Sequence, residues 1–290
     1  MGFEYLTNVP LAQARKEYLE RLVSGGFGSK TETIPVFESC GRVTAKAVYA
    51  HICAPHYAAS AMDGVAVSAK ETFGATETTP VTLKPDQFLV LDTGDPIPED
   101  KDAVIMVEDI VKNGDGSITI HAAAAPWQHI RQIGEDVCAG EMILPSHMTV
   151  SPAAIGAMIA GGVLEIEVIR KPVVGIIPTG DEIIPPCTDP KPGDILEFNG
   201  SIFSAMVRSW GAEAVVYPIV PDKFDQIKEM VAKAADECDM VILNAGSSAG
   251  REDFSARVIR ELGEVLYHGI AIKPGKPTII GKVGAKPVVG

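Results

Sequence analysis

Between residues 171 and 290 the chain alternates apolar β-type runs with amphipathic helical runs, and this alternation restricts the fold more than any other feature. Val173–Ile177 reads as a buried strand, and Asn199–Trp210 as a helix with Phe203, Met206, Val207 and Trp210 on one face, stopped by Gly211. Ala214–Val220 reads as a strand and Asp222–Asp236 as a helix with Ile227, Met230, Val231 and Ala234 inward. Met240–Leu243 follows as a strand, then Asp253–Leu262 as a helix carrying Phe254, Val258 and Leu262. Short strands are expected near Val265–Tyr267 and Thr278–Ile280. Such alternation predicts a parallel sheet covered by helices on both faces, with ligands at the carboxyl ends of its strands.

The preceding residues have a different texture. Residues 11–23 read as an amphipathic helix ended by Ser24-Gly25-Gly26. From about residue 46 to 146 the pattern is short strands and turns. Its clearest signal is a hairpin: Asp109–Lys112, the turn Asn113-Gly114-Asp115-Gly116, then Ser117–His121. Ser151 is an expected N-cap, with Pro152 at the first position of a helix running to Gly161-Gly162, and Val163–Ile169 reads as a strand. The last residues, Lys286-Pro287-Val288-Val289-Gly290, read as another core strand entering a turn, so continuation beyond residue 290 is expected.

Bulk properties narrow the function classes. A chain of 290 residues with net charge −13 and pI near 4.9 repels nucleic acid and anionic membrane, so any anion it binds must be captured by local donors. The five cysteines (Cys40, Cys53, Cys138, Cys187, Cys238) are scattered, which suits reduced thiols in a cytoplasmic protein rather than a disulfide or zinc framework. His51-Ile52-Cys53-Ala54-Pro55-His56 fits no standard metal-ligand spacing. No apolar h-region follows Met1, and the longest apolar stretch, Ala153–Leu164, is too short and Gly-rich to span a bilayer.

Two stretches carry chemistry. Asn244-Ala245-Gly246-Ser247-Ser248-Ala249-Gly250-Arg251-Glu252-Asp253 joins an apolar strand to a helix, where backbone N–H groups and the helix N-terminus can converge on an anion. Ile272-Lys273-Pro274-Gly275-Lys276-Pro277 adds two ammonium groups on a backbone stiffened by prolines. The loop is neither a Walker A nor a dinucleotide fingerprint, and taken alone it reads equally as a tight turn. Carboxylates recur in turn contexts: Asp63 before Gly64, Glu108, Asp136, and Asp181-Glu182 after the first strand of the α/β region. Near a phosphate pocket such acids suit Mg²⁺, although Asp before Gly is also ordinary turn chemistry.

The ordered series of motifs resembles the molybdopterin molybdenumtransferases, the family of MoeA proteins and the gephyrin E domain. The series is S-A-M-D-G at 60–64, T-G-x3-P at 93–98, R-x2-G-E-D at 131–136, P-T-G-D-E-I at 178–183, G-D-I-x3-N at 193–199, the Gly-rich loop ending in Asp253, and K-P-G-K-P at 273–277. The resemblance implies an α/β multidomain fold: a Mog-like doubly wound α/β domain, an elongated mostly β N-terminal domain and a small α+β linker domain. The expected boundaries are 1–45 with 147–170 for the linker, 46–146 for the β subdomain and 171–290 for the α/β domain. The family continues past the point matching residue 290 with a Gly-Pro-rich loop and a small β-domain.

The implied activity is insertion of molybdate, or tungstate, into adenylylated molybdopterin with Mg²⁺-dependent release of AMP. Carried over by position, Asp63, Asp136, Glu182, Asp253, Lys273 and Lys276 are the expected catalytic residues, with Glu182 and Asp253 as Mg²⁺ ligands. Thr93, Thr179, Gly180, Asp222, Gly246, Ser248, Gly250, Pro274 and Gly275 are the expected binding residues. A homodimer is implied, in which the Asp63 region of one chain completes the site of the other, with other molybdenum-cofactor biosynthesis proteins as partners. Two departures stand out: Ala245 replaces a loop glycine, and Val65 replaces the aromatic that follows M-D-G, removing contact surface near Asp63. They leave open a second reading, a molybdopterin- or molybdate-binding regulator or scaffold without turnover. A third, adenylylation of molybdopterin as in the related Mog-type domains, is opposed by the long N-terminal region carrying Asp63.

Overall fold

The computed structural model describes residues 8–245 and 254–290. The chain forms two compact units, one of residues 1–32 with 169–290 and one of residues 33–168.

In the first unit a helix, Leu11–Ser24 (α1), precedes an alternating series: Val173–Pro178 (β1), Asn199–Ser209 (α2), Glu213–Val216 (β2), Phe224–Glu237 (α3), Met240–Asn244 (β3), Phe254–Leu262 (α4), Glu264–His268 (β4), Ile279–Val283 (β5) and Lys286–Val289 (β6). The strands form one sheet in the order β2-β1-β3-β6-β5-β4. One face of this sheet buries Ile177, Val241, Leu243 and Val288 against Ile227, Val231 and Ala234 of α3 and Val258 and Ile259 of α4. At β5 and β6 the opposite side packs Ile280 and Val289 against Ala14 and Tyr18 of α1, and the Tyr18 hydroxyl donates to the Gly281 carbonyl at 3.1 Å.

The sheet departs from the all-parallel expectation. β2, β1, β3 and β6 run parallel, whereas β5 is antiparallel to β6 and β4 antiparallel to β5. Only Gly284 and Ala285 separate β5 from β6, with Gly284 at φ +59. A parallel return needs a crossover of about a dozen residues, so two residues dictate a hairpin.

The face assigned to α2 also differs. Gly200, Ser204 and Val207 are its buried residues, whereas Met206 is 39% and Trp210 73% exposed. Small residues win because the helix lies close on β2: a Cβ on Gly200 would sit 3.0 Å from Val216 Cγ1. β2 closes at Val216 rather than Val220, since Pro218 lacks an N–H, although Tyr217 and Val220 on either side still donate to Ile176 and Pro178.

Asp239 ties this unit together. It accepts from Val173 N–H at 2.9 Å, pairs with Lys30 at 3.0 Å and Lys286 at 3.8 Å, and is bridged by Arg170. Burial would raise its pKa, but the hydrogen bonds from Val173, Lys30 and Arg170 outweigh that and hold it at about 2.

The second unit is strand-rich. Gly64–Val67 lies between Phe88–Leu91 and Ala103–Met106, antiparallel to both. Val81–Leu83, Ile118–Ile120 and Ile110–Lys112 form a second three-stranded sheet, and the expected hairpin pairs Lys112 with Ile118. Val65, Val67, Leu83, Ile105, Ile118 and Ile120 make the core between them. A separate cluster, Val36, Val150, Met158, Ile166 and Val168, surrounds the helix Pro152–Ala160. That helix begins as its sequence predicts, with Ser151 accepting from Ala154 N–H at 3.2 Å. Among the described residues no helix is long and apolar enough to cross a membrane.

Candidate functional site

Strand topology gathers several motifs on one edge of the α/β unit. The P-T-G-D-E segment leaves the carboxyl end of β1. There Thr179 is 2% exposed, its N–H donates to Asn244 O at 2.8 Å, and Gly180 N–H donates to Val220 O at 3.1 Å. Asn244 is the last residue of β3, so the Gly-rich loop departs beside Thr179. β5 runs against β6, so the turn preceding Ile279 falls at this same edge, where Ile279 and Gly290 exchange backbone hydrogen bonds. The lysine turn is three strand positions from β1, roughly 14 Å at a strand spacing near 4.8 Å.

Gly180 explains the tightness of the first turn. Its φ is +145, and a Cβ there would sit 2.7 Å from Ile183 Cγ1 and 3.1 Å from Glu182 Oε2. The Glu182 carboxylate is therefore folded back over the turn. Asp222 approaches from the segment after β2, and its N–H donates to Asp181 Oδ1 at 3.0 Å. Desolvation, then repulsion from Asp181 and Glu182, pushes the Asp222 carboxyl above its ordinary value. An open cleft of about 590 Å³ adjoins these acids, lined by Gly180, Asp181, Glu197, Tyr217 and five prolines: Pro178, Pro185, Pro186, Pro218 and Pro221.

The lysine turn is shaped by Gly275, at φ +100, whose carbonyl accepts from Thr278 N–H at 3.1 Å and Thr278 Oγ1 at 2.6 Å. Lys273, Pro274, Gly275 and Lys276 are all exposed. Among the described residues neither ammonium has an ion-pair partner. Gly246, Ser248, Gly250 and Asp253 lie outside the described residues. No group of three or more His, Cys, Asp or Glu among the described residues is arranged to hold a metal ion by itself.

In the strand-rich unit the other candidate acids are held differently. Asp63 Oδ1 accepts from Thr93 N–H at 2.7 Å and Thr93 Oγ1 at 2.8 Å, which holds its carboxyl below the usual range. Thr93, an expected binding residue, thus already spends its hydroxyl and amide on Asp63. Asp136 pairs with Arg131 at 2.6 Å, and Arg131 also reaches Glu135 at 3.4 Å. The strands bearing these motifs are neighbours, Ser60 opposite Ile130 and Ala59 opposite Arg131, so S-A-M-D-G, T-G and R-x2-G-E-D form one cluster. Gly64 is there because the chain opposite leaves no room: a Cβ would sit 2.0 Å from Ile105 O. Val65 is 1% exposed and points into the core between the sheets. It therefore contributes nothing to the surface around Asp63.

Glu197 and Tyr217 carry no mark in the sequence as site residues, and Asp181 appears there only among the turn carboxylates, not among the expected catalytic or binding residues. Asp181 had a signal, its adjacency to Glu182 in the P-T-G-D-E motif. Tyr217 and the prolines had none, since the cleft they line exists only once β1 and β2 pair.

Comparison with known proteins bears directly on this arrangement. Residues 9–162 match the model of the MoeA N-terminal region (domain I and II), and residues 175–290 that of a probable molybdopterin binding domain. A molybdopterin molybdenumtransferase of Haemophilus influenzae is 32% identical over 94% of this chain and 70% of its own length. Molybdopterin molybdenumtransferase 2 of Mycobacterium tuberculosis is 33% identical over 89% of this chain and 69% of its own. The crystal structure of a molybdopterin biosynthesis MoeA protein from Pyrococcus horikosii superposes with a TM-score of 0.81 at 33% identity, covering 98% of this chain and 74% of that one. With matches to both regions and the mixed α/β architecture in common, the chain belongs to the MoeA family of molybdopterin molybdenumtransferases.

Proposed function

We propose that the chain inserts molybdate, or the near-isosteric tungstate, into the dithiolene of adenylylated molybdopterin and releases AMP in a Mg²⁺-dependent step. One observation carries this reading: mutually repelling carboxylates and a lysine turn without ion-pair partners among the described residues stand on the same carboxyl-end edge of one sheet.

The donor chemistry fits Mg²⁺. This ion takes hard oxygen ligands and is held by one or two carboxylates plus substrate phosphates, so it needs no closed protein cage. Glu182 would hold it, with Asp222 and Asp181 beside it and Asp253 as the second expected ligand. Once bound, the ion supplies charge neutralisation on phosphate oxygens. The rest falls to the chain. A water oxygen attacks the adenylyl phosphorus, directly or after a molybdate oxygen has formed a mixed anhydride there. The P–O bond to the pterin phosphate breaks, and the adenylyl group leaves as AMP. The two dithiolene sulfurs replace one molybdate oxygen, which leaves as water with the two thiol protons. Lys273 and Lys276 offset the negative charge of the oxyanion and of the phosphate as it develops. Gly180 lets the chain turn back tightly enough to hold Glu182 over the edge. The proline-lined cleft would exclude water around the organic part of the substrate.

The homodimer is part of this proposal, with Asp63 and Asp136 of one copy serving the α/β pocket of the other. So is the division into a β subdomain of 46–146 and a linker of 1–45 with 147–170, which the two separate hydrophobic clusters of the strand-rich unit support, although residues 1–32 group with the α/β unit. Partners among other molybdenum-cofactor biosynthesis proteins also belong here.

Incubating the protein with adenylylated molybdopterin, molybdate and Mg²⁺ tests the reading. AMP release that is lost in Lys276→Ala, with the fold intact, is expected; no release above background overturns it. Tight pterin binding without AMP release would favour the regulator reading that Ala245 motivates. ATP consumption with free molybdopterin would favour adenylylation.

A further inference from the structure

The His51–His56 segment, which fits no metal-ligand spacing, contains a cysteine with a partner. Ala54 and Val137 form an antiparallel bridge and exchange both backbone hydrogen bonds, Ala54 N–H to Val137 O at 2.8 Å and Val137 N–H to Ala54 O at 3.2 Å. One step outward, the same register sets Cys53 opposite Cys138. The bridge is isolated: Cys138 opens a turn in which Glu141 N–H donates to Cys138 O at 3.0 Å, and pairing resumes beyond it, where Ala50 N–H donates to Glu141 O at 2.9 Å and Gly140 N–H to Ala50 O at 2.8 Å. Cys53 and Cys138 thus directly adjoin the bridged pair, and opposed residues of an antiparallel pair bring their Cα atoms to roughly 4.5–5.5 Å, within the range a disulfide spans.

The side chains point the same way. The position a Cβ on Gly134 would take is 2.7 Å from Cys138 Sγ and 3.6 Å from Cys53 Sγ, so both sulfurs crowd one small space. Gly134 stands in this turn at φ +77 with no side chain to separate them. Ala139 N–H donates to Cys53 Sγ at 3.4 Å, and Cys138 S–H donates to Gly134 O at 3.5 Å. Cys138 is exposed and Cys53 half-buried.

We propose that Cys53 and Cys138 are a reversible dithiol–disulfide pair, a modification site that clamps the turn bearing the Arg131–Asp136 ion pair onto the segment 50–56. The oxidant is a low-molecular-weight disulfide of the glutathione class. Exposed Cys138, as thiolate, attacks one sulfur of that disulfide, forming a mixed disulfide and releasing one small thiol. Cys53 then loses its proton to solvent and attacks the Cys138 sulfur, forming the intramolecular bond and releasing the second small thiol. Two protein thiols are oxidised, one external disulfide is reduced, and a thiol reductant reverses both steps.

The test uses the full chain and oxidised glutathione. Free-thiol counting should show the loss of Cys53 and Cys138 together, and peptide mapping should recover them as one cross-linked species lacking two hydrogens. The other exposed cysteines, Cys40 and Cys187, should instead carry glutathione. Closing so long a loop should raise the unfolding midpoint by roughly 5–10 °C, reversed by reductant. In Cys53→Ser, Cys138 should remain trapped as the glutathione adduct, with no rise in midpoint. Recovery of Cys53 and Cys138 as separate glutathione adducts in the wild type, or unmodified while Cys40 and Cys187 react, overturns the proposal. These readouts do not involve AMP release, so they stand or fall apart from the proposed activity.

Discussion

The two units hold their candidate acids in opposite ways. In the strand-rich unit the protein has already answered each charge: Asp63 has two donors from Thr93, and Asp136 has the Arg131 guanidinium. On the α/β edge the acids face one another, and Asp222 is pushed up by burial and by Asp181 and Glu182. A carboxylate satisfied by its own fold is a fixed shape that a substrate can be placed against. Carboxylates that repel each other carry charge that the Mg²⁺ of the proposed reaction would offset.

The comparison is broken most severely by removing what each region is built on. Gly64→Ala should have the largest effect on stability, because the added Cβ meets the backbone at Ile105 and the strand pair must separate. We expect most of the protein to be lost to the insoluble fraction, and near-native solubility and thermal midpoint would contradict the packing argument. On the α/β side, Glu182→Gln and Lys276→Ala should each lower the rate of AMP release by about 10²-fold or more with an unchanged far-ultraviolet spectrum.

Asp239→Asn sharpens the contrast by removing a structural acid inside the α/β unit itself. Its folded pKa of about 2 lies below the unfolded value of 3.8, so its contribution is complete above pH 3.8 and is lost as pH falls toward 2. Discounted for partial exposure, this is about 1–2 kcal/mol, or a fall of roughly 3–6 °C in midpoint at pH 7. The difference from wild type should shrink below pH 3. Asp222→Asn should do the reverse. A raised folded pKa means stability that is present at low pH and lost as pH rises through that value, so the neutral amide should slightly raise the midpoint at pH 7. Smallest is Ser151→Ala, where loss of the cap should cost about 1 kcal/mol in the strand-rich unit alone.

What could be read from the chain in advance follows the same line. Ser151 capping its helix, the Asn113–Gly116 hairpin and the strand–helix alternation depend on neighbours in sequence, and they were legible. The motif order marked Asp63, Glu182 and the lysine turn as candidates, and the family resemblance added Asp222. The antiparallel return of β5 depended on how little chain Gly284 and Ala285 provide, and the buried face of α2 on small residues lying close on β2. The role of Gly64 depended on a strand about forty residues away. Nothing in the local pattern separates Cys53 and Cys138 from the other thiols, because their relation is a register between distant segments.

The most direct test of the account is the ionisation of Asp222, followed by NMR of its labelled carboxyl group. The account predicts a pKa above the ordinary aspartate value in the free protein, falling when Mg²⁺ and a pyrophosphate-bearing ligand are added together. An ordinary value that neither addition moves would contradict it.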